Sequence, residues 1–151
     1  MPRIERQATV TWDGTGARGT GMIEAGTGAF RGLEYSQPVR IGKGKEGKTS
    51  PEELLAAAHA GCFAMSLAGE LRNEGTRLDV TALIVMDEVA GRGHLIRESQ
   101  VRVRAHVPGL EQSAFEETVQ TAHAGCSFSR LLEDADVKVT IDAELEGSDA
   151  D

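Results

Sequence analysis

The sequence predicts an α+β domain whose antiparallel sheets wrap a buried central helix. Hairpin-like pairs of strand patterns occur in place of uniform strand–helix alternation. One long segment, LLAAAHAGCFAMSLAGEL, is apolar on nearly all sides and rich in small residues, the pattern of a helix enclosed by its neighbours. The elements read in the order β-β-(β)-α-β-β-α-β.

The first hairpin is carried by Ile4–Trp12 and Arg18–Ala25, two strand-like runs joined by the turn-forming Asp13-Gly14-Thr15-Gly16. The Gly- and Lys-rich stretch from Gly26 to Lys48 reads as a long functional loop, with a short strand through Pro38–Ile41. Ser50-Pro51-Glu52-Glu53 then starts a helix. Ser50 caps it, Pro51 suits the first helical position, and Glu53 completes a Ser-x-x-Glu capping box. The helix is expected to reach about Asn73, with Gly75 as its stop. Leu78–Val89 and Leu95–Val107 form a second hairpin about Gly91-Arg92-Gly93. Ser113–Ala124 reads as a helix, Phe128–Glu133 as a further helical turn, and Val137–Leu145 as a closing strand with strict alternation.

A chain of 151 residues with 40% hydrophobic content suits one domain, placed at residues 1–146 with a frayed tail over 147–151. Twenty-four acidic residues against 16 basic ones give a net charge of -8, which repels nucleic acid and anionic membrane. Neither is expected as a partner. MPRIERQATV has no apolar export core, and the apolar run around Ala56–Ala68 is broken by His59, Gly61 and Ser66, far short of the ~20 residues a membrane span needs. The expected location is therefore the cytoplasm, where a cysteine pair is seldom a permanent staple.

The cysteines, Cys62 and Cys126, each end a copy of the pentapeptide Ala-His-Ala-Gly-Cys. They can be small buried apolar residues, metal ligands or reactive thiols. His59–Cys62 and His123–Cys126 share an i, i+3 spacing that could build a Cys2His2 zinc site. The plainer reading of His59 is a satisfied core histidine. Cys62 lies mid-helix, where no helix N-terminus can lower its pKa and burial alone would raise it, so a reactive thiolate there calls for a nearby cation; Arg18 and Arg40 are the candidates.

Thr49-Ser50-Pro51-Glu52-Glu53-Leu54, followed by Ala58-His59-Ala60-Gly61-Cys62-Phe63, Val107-Pro108-Gly109 and Cys126, resembles the OsmC/Ohr family, nearest its OsmC branch. The resemblance runs from Thr11-Trp12-Asp13-Gly14 to the last strand. It implies a two-cysteine peroxidase that reduces organic hydroperoxides in oxidative or osmotic stress, built as an intertwined homodimer with active sites at the subunit interface. By the family pattern Cys62 is the attacking thiol, Cys126 the resolving thiol, and Glu52 the residue that orients the catalytic arginine. The organic hydroperoxide resistance branch uses an arginine matching Arg18 and the OsmC-like branch one matching Arg40; Arg40 is favoured. The family often has proline after its second cysteine, where this chain has Ser127. No tightly bound cofactor is implied, and the reductant is expected to be an external dithiol such as dihydrolipoamide or a lipoylated protein.

Spacing adds a separate argument. Glu52 and Cys62 are ten residues apart on one expected helix, so their Cα atoms should lie ~15 Å apart along it. Either the helix breaks, against its run of Ala and Leu, or Glu52 serves the Cys62 of another protomer; the plainer role of Glu52 is to compensate the helix dipole, which Glu53 already does. Phe63, Met65 and Leu67, with Phe30, Leu33 and Tyr35, are candidates for an apolar pocket favouring alkyl or lipid hydroperoxides. A non-catalytic ligand-binding protein with the same pocket, or a zinc-stabilised one, is the alternative.

Overall fold

Ser50 and Pro51 set the principal helix in the way the local sequence dictates. In the computed structural model, which describes residues 2–147, Ser50 Oγ accepts the Glu53 N–H at 3.2 Å, and the helix α2 runs unbroken over Pro51–Leu71. Three strands and a short helix come first: β1 (Ala8–Asp13), β2 (Thr20–Ala25), β3 (Leu33–Tyr35) and α1 (Gln37–Ile41). After α2 come β4 (Arg77–Val89), β5 (Gly93–His106), α3 (Gln112–Gly125), α4 (Ser127–Asp134) and β6 (Lys138–Leu145). Where a single domain over 1–146 is expected, contacts group the chain into two compact units, Met1–Leu54 and Leu55–Asp151. Of the tail expected over 147–151, residues 148–151 lie outside the described part.

The first unit holds the antiparallel sheet β1-β2-β3. Gly21 pairs with Trp12 on one side and Tyr35 on the other, and the two rings meet with centroids 5.4 Å apart. A Cβ at Gly21 would come within 2.2 Å of the Tyr35 ring and 2.8 Å of the Trp12 ring, so only glycine admits both aromatics here. The strand expected through Pro38–Ile41 is instead α1. Ser36 precedes that helix, and Pro38 occupies its first turn, where a missing N–H costs no hydrogen bond. The strand before it covers only Leu33–Tyr35. The following loop returns to β3 through the Thr49 N–H bond to Glu34 O, 2.9 Å, and a Lys48–Glu34 ion pair.

The second unit holds the sheet β4-β5-β6. β4 and β5 form the expected antiparallel hairpin, but β6 joins β5 in parallel, with Glu98 opposite Lys138 and Ala105 opposite Leu145. The expectation of purely antiparallel sheets is corrected. α3 and α4 carry the chain back along the sheet after β5, so the next strand starts level with Glu98 in the first half of β5 and runs the same way. One face of the sheet, with Val101, Val103 and Ala105 of β5, packs against Phe63 and Leu67 of α2 and against Phe115, Val119 and Ala122 of α3.

α2 is not enclosed on all sides within one chain, which corrects the second expectation. Burial follows the stripe His59, Phe63 and Leu67, while Met65 on another face is 79% exposed. A 21-residue helix of this apolarity also meets the length and composition of a membrane span, contrary to the reading of its apolar run as too short. Its buried stripe lies inside the core cluster of the second unit, the position of a core helix.

Candidate active site

Cys62 sits one turn after His59 on α2, and Cys126 occupies the break between α3 and α4, where it caps both helices in extended conformation. These elements bring the thiols together: Cys126 Sγ lies 3.5 Å from Cys62 Sγ and is oriented as the donor. Cys62 is half-buried, and Cys126 is 1% exposed. Ser127 Oγ lies 3.5 Å from Cys62 Sγ.

Burial pushes the Cys62 thiol up, but hydrogen bonds to its sulfur from the Ser127 hydroxyl, the Phe128 N–H, the Cys126 thiol and the Ser127 N–H outweigh burial. The thiol therefore sits below the ordinary cysteine value. The expectation that no helix N-terminus assists Cys62 is thus corrected. Its own helix does not, but the first turn of α4 faces it, and the Ser127 and Phe128 N–H groups of that turn help to lower the thiol.

Arg40 and Glu52 are brought together in the first unit. Arg40 Nε donates to both carboxylate oxygens of Glu52 at 3.0 Å, and Nη2 donates to Oε1 as well. The hydrogen bond from Arg40 is the main cause holding the Glu52 carboxyl below the usual carboxylate range, against the opposing effect of burial. The same bond raises Arg40. Arg40, Trp12, Tyr35 and Ser36 line a cavity of ≈ 480 Å³ in this unit. Arg18 is exposed in the hairpin turn, where its backbone N–H donates to Thr15 Oγ1 at 3.2 Å. Arg40, not Arg18, carries the contact with Glu52.

The histidines do not form the zinc site. His59 is fully buried, with Nδ1 2.7 Å from Ser99 Oγ and Nε2 2.9 Å from Ser129 Oγ, so both ring nitrogens are taken by hydroxyls. His123 Nε2 bonds Glu133 Oε1 at 2.9 Å. His59 is the satisfied core histidine. The pocket expected from Phe63 and Leu67 is also corrected, because both are 0% exposed within the core. Sequence reasoning missed Ser127 and the Phe128 N–H as partners of Cys62. The one available signal was a hydroxyl residue directly after the second cysteine, at a helix start.

An α+β scaffold of two small sheets that holds two free thiols within 3.5 Å of each other defines a class of thiol proteins. The chain belongs to the OsmC family: the family model for OsmC-like proteins matches residues 42–142. The peroxiredoxin OsmC of Escherichia coli strain K12 is 34% identical over 145 residues, covering 94% of this chain and 97% of that protein. An organic hydroperoxide resistance protein-like protein of Mycoplasma pneumoniae is 27% identical over 113 residues, covering 74% of this chain and 78% of its own. Among solved structures, an organic hydroperoxide resistance protein from Elizabethkingia anophelis superposes with a TM-score of 0.73 at 21% identity, covering 96% of this chain and 99% of that one. One from Legionella pneumophila gives 0.68 at 24% identity, covering 94% and 99%. The solved structures share the mixed α+β fold, and the names of the sequence relatives support a peroxidase-type function.

Proposed function

We propose that this protein is a two-cysteine organic hydroperoxide reductase in which Cys62 attacks and Cys126 resolves. The observation that carries the reading is the asymmetry of the thiol pair. Cys62 accepts hydrogen bonds, one of them from Cys126, so the negative charge belongs on Cys62 and the proton on its neighbour.

In the reaction, the Cys62 thiolate attacks one peroxide oxygen, the O–O bond breaks, and the departing alkoxide takes a proton to leave as the alcohol. Cys62 becomes a sulfenic acid. Cys126 sulfur then attacks Cys62 sulfur, the S–O bond breaks, and water leaves as the disulfide forms. An external dithiol, of the dihydrolipoamide or lipoyl-protein kind, restores both thiols and is itself oxidised. Arg40, with its fork fixed by Glu52, supplies planar donors for the charge that develops on oxygen. The aromatic walls of Trp12 and Tyr35 beside Arg40 favour an organic group over hydrogen peroxide.

The working form is a homodimer with each site shared between protomers, acting in the cytoplasm. Two features support the dimer: Glu52 and Cys62 lie ten residues apart on one unbroken helix, and that helix exposes apolar side chains such as Met65. One equivalent of cumene hydroperoxide should convert the two thiols of each chain into one intramolecular disulfide, read by mass spectrometry as the loss of two hydrogens per chain. Unchanged thiols would sink the reading, and a covalent dimer through Cys126 would remove its resolving role.

A further inference from the structure

The first turn of α4 meets Cys62 with more than a bare helix end. Ser127 is exposed and stands at the first position of α4, yet its Oγ lies 3.5 Å from Cys62 Sγ across 65 residues of sequence. Its backbone N–H and that of Phe128 also act on the same sulfur in the direction that favours its charged form. The turn is held from below, because His59, one turn before Cys62 on α2, bonds Ser129 two residues further along α4. The sulfur thus faces a fixed row of donors on an element other than its own.

We infer that Ser127 is a thiolate-holding residue, whose hydroxyl and N–H together keep the Cys62 sulfur anionic and aimed at Cys126 before peroxide arrives. The inference deepens the proposed peroxidase function and rests on its assignment of Cys62 as the attacking thiol. Serine and proline differ sharply at this place. Proline suits the first position of a helix and would leave the fold of α4 intact, but it has neither the hydroxyl nor the N–H. Serine gives up the rigidity of proline and adds two donors. Hydrogen bonds to a charged acceptor are stronger than those to a neutral one, so both donors favour S⁻ over SH. Once the sulfur is neutral, as sulfenic acid or disulfide, that preference lapses. Among the described residues, the titratable group in contact with Cys62 is the Cys126 thiol; His59 is engaged by Ser99 and Ser129.

The test measures the rate of Cys62 alkylation by iodoacetamide against pH, without peroxide, resolving the two cysteines by peptide mass spectrometry. Wild type is compared with Ser127→Ala, Ser127→Thr and Ser127→Pro. Loss of one charge-assisted hydrogen bond predicts alkylation roughly tenfold slower at neutral pH in Ser127→Ala. The plateau at high pH should be unchanged, since every thiol is ionised there. Ser127→Thr should restore the wild-type profile, and Ser127→Pro should be slower than Ser127→Ala. A Ser127→Ala profile that superposes on wild type overturns the inference, as does an equal loss in Ser127→Thr. Because no peroxide is used, the profile can shift in a protein that peroxide fails to oxidise. That pair of results would remove the peroxidase reading and leave the role of Ser127 standing.

Discussion

His59 Nε2 lies 2.9 Å from Ser129 Oγ, so a fully buried imidazole ties α2 to α4 one turn away from the two thiols. Its other nitrogen is tied to Ser99 on β5. A neutral ring donates through one nitrogen and accepts through the other, and this satisfies all three buried side chains.

Burial, and then the neighbouring His123, hold His59 below its ordinary value, with Glu133 acting the other way. The unfolded chain therefore binds a proton that the folded chain refuses, and the stability that His59 contributes is complete above pH 6.5 and declines as pH falls below it. Thermal unfolding between pH 7.5 and 5 should show that decline in wild type and a flatter one in His59→Leu. The variant also strands the Ser99 and Ser129 hydroxyls and should lose about 2–5 kcal/mol. A wild-type midpoint that rises on acidification through this range would contradict the assignment.

The thiols should differ in single-turnover experiments with cumene hydroperoxide. Cys62→Ser is expected to consume no peroxide, whereas Cys126→Ser consumes one equivalent and then stalls or over-oxidises at Cys62. Sulfenic acid trapping with dimedone reads the second case directly. Equal loss in both variants would contradict the division of labour.

Arg40 and Glu52 form a partly exposed ion pair, so its removal should cost activity far more than stability. Arg40→Ala is expected to lower the single-turnover rate at least ~10-fold, with less than ~1 kcal/mol change in unfolding free energy. Arg40→Lys keeps the charge and loses the fork, and should recover little. With the Glu52 carboxyl held below 4.5, the pair survives mild acid, and its contribution fades only as pH falls below that value. A rate that drops between pH 6 and 5 through Glu52, absent in Glu52→Gln, would speak against it.

A site shared between protomers, as proposed, predicts complementation. Glu52→Ala and Cys62→Ser proteins, each inactive when refolded alone, should regain up to half the wild-type activity per heterodimer when unfolded and refolded together. One site of the heterodimer then carries both lesions and the other neither. Heterodimers seen by native mass spectrometry that stay inactive would place Glu52 in the service of its own chain.

What the sequence disclosed follows the range of the physics involved. The start of α2 rests on contacts within one turn, and Ser50-Pro51-Glu52-Glu53 states it outright. The β4–β5 hairpin is equally local. The direction of β6 is not, because Val139, Ile141 and Ala143 alternate identically in a parallel and an antiparallel partner, and only the path of α3 and α4 decides. Gln37–Ile41 is too short for periodicity to separate strand from helix, so the first-turn proline was the better guide. At the site, spacing and resemblance singled out Cys62 and Cys126, which meet, and Arg40 and Glu52, which pair. The role of Ser127 depends on a contact across 65 residues that no local pattern encodes.

The parallel pairing of β6 with β5 also bears on how the chain matures. That pairing joins segments distant in sequence, since it requires a finished β5 and a returned α3–α4 crossover, and such non-local contacts are expected to close late. During synthesis Cys62 leaves the ribosome well before Cys126 and the first turn of α4. Until the crossover docks, the Cys62 thiol has neither its donors nor its partner and behaves as an ordinary, sluggish cysteine. On the proposed function, chemical competence is then acquired only once the crossover has docked, and the nascent chain is spared the reactivity of the finished protein.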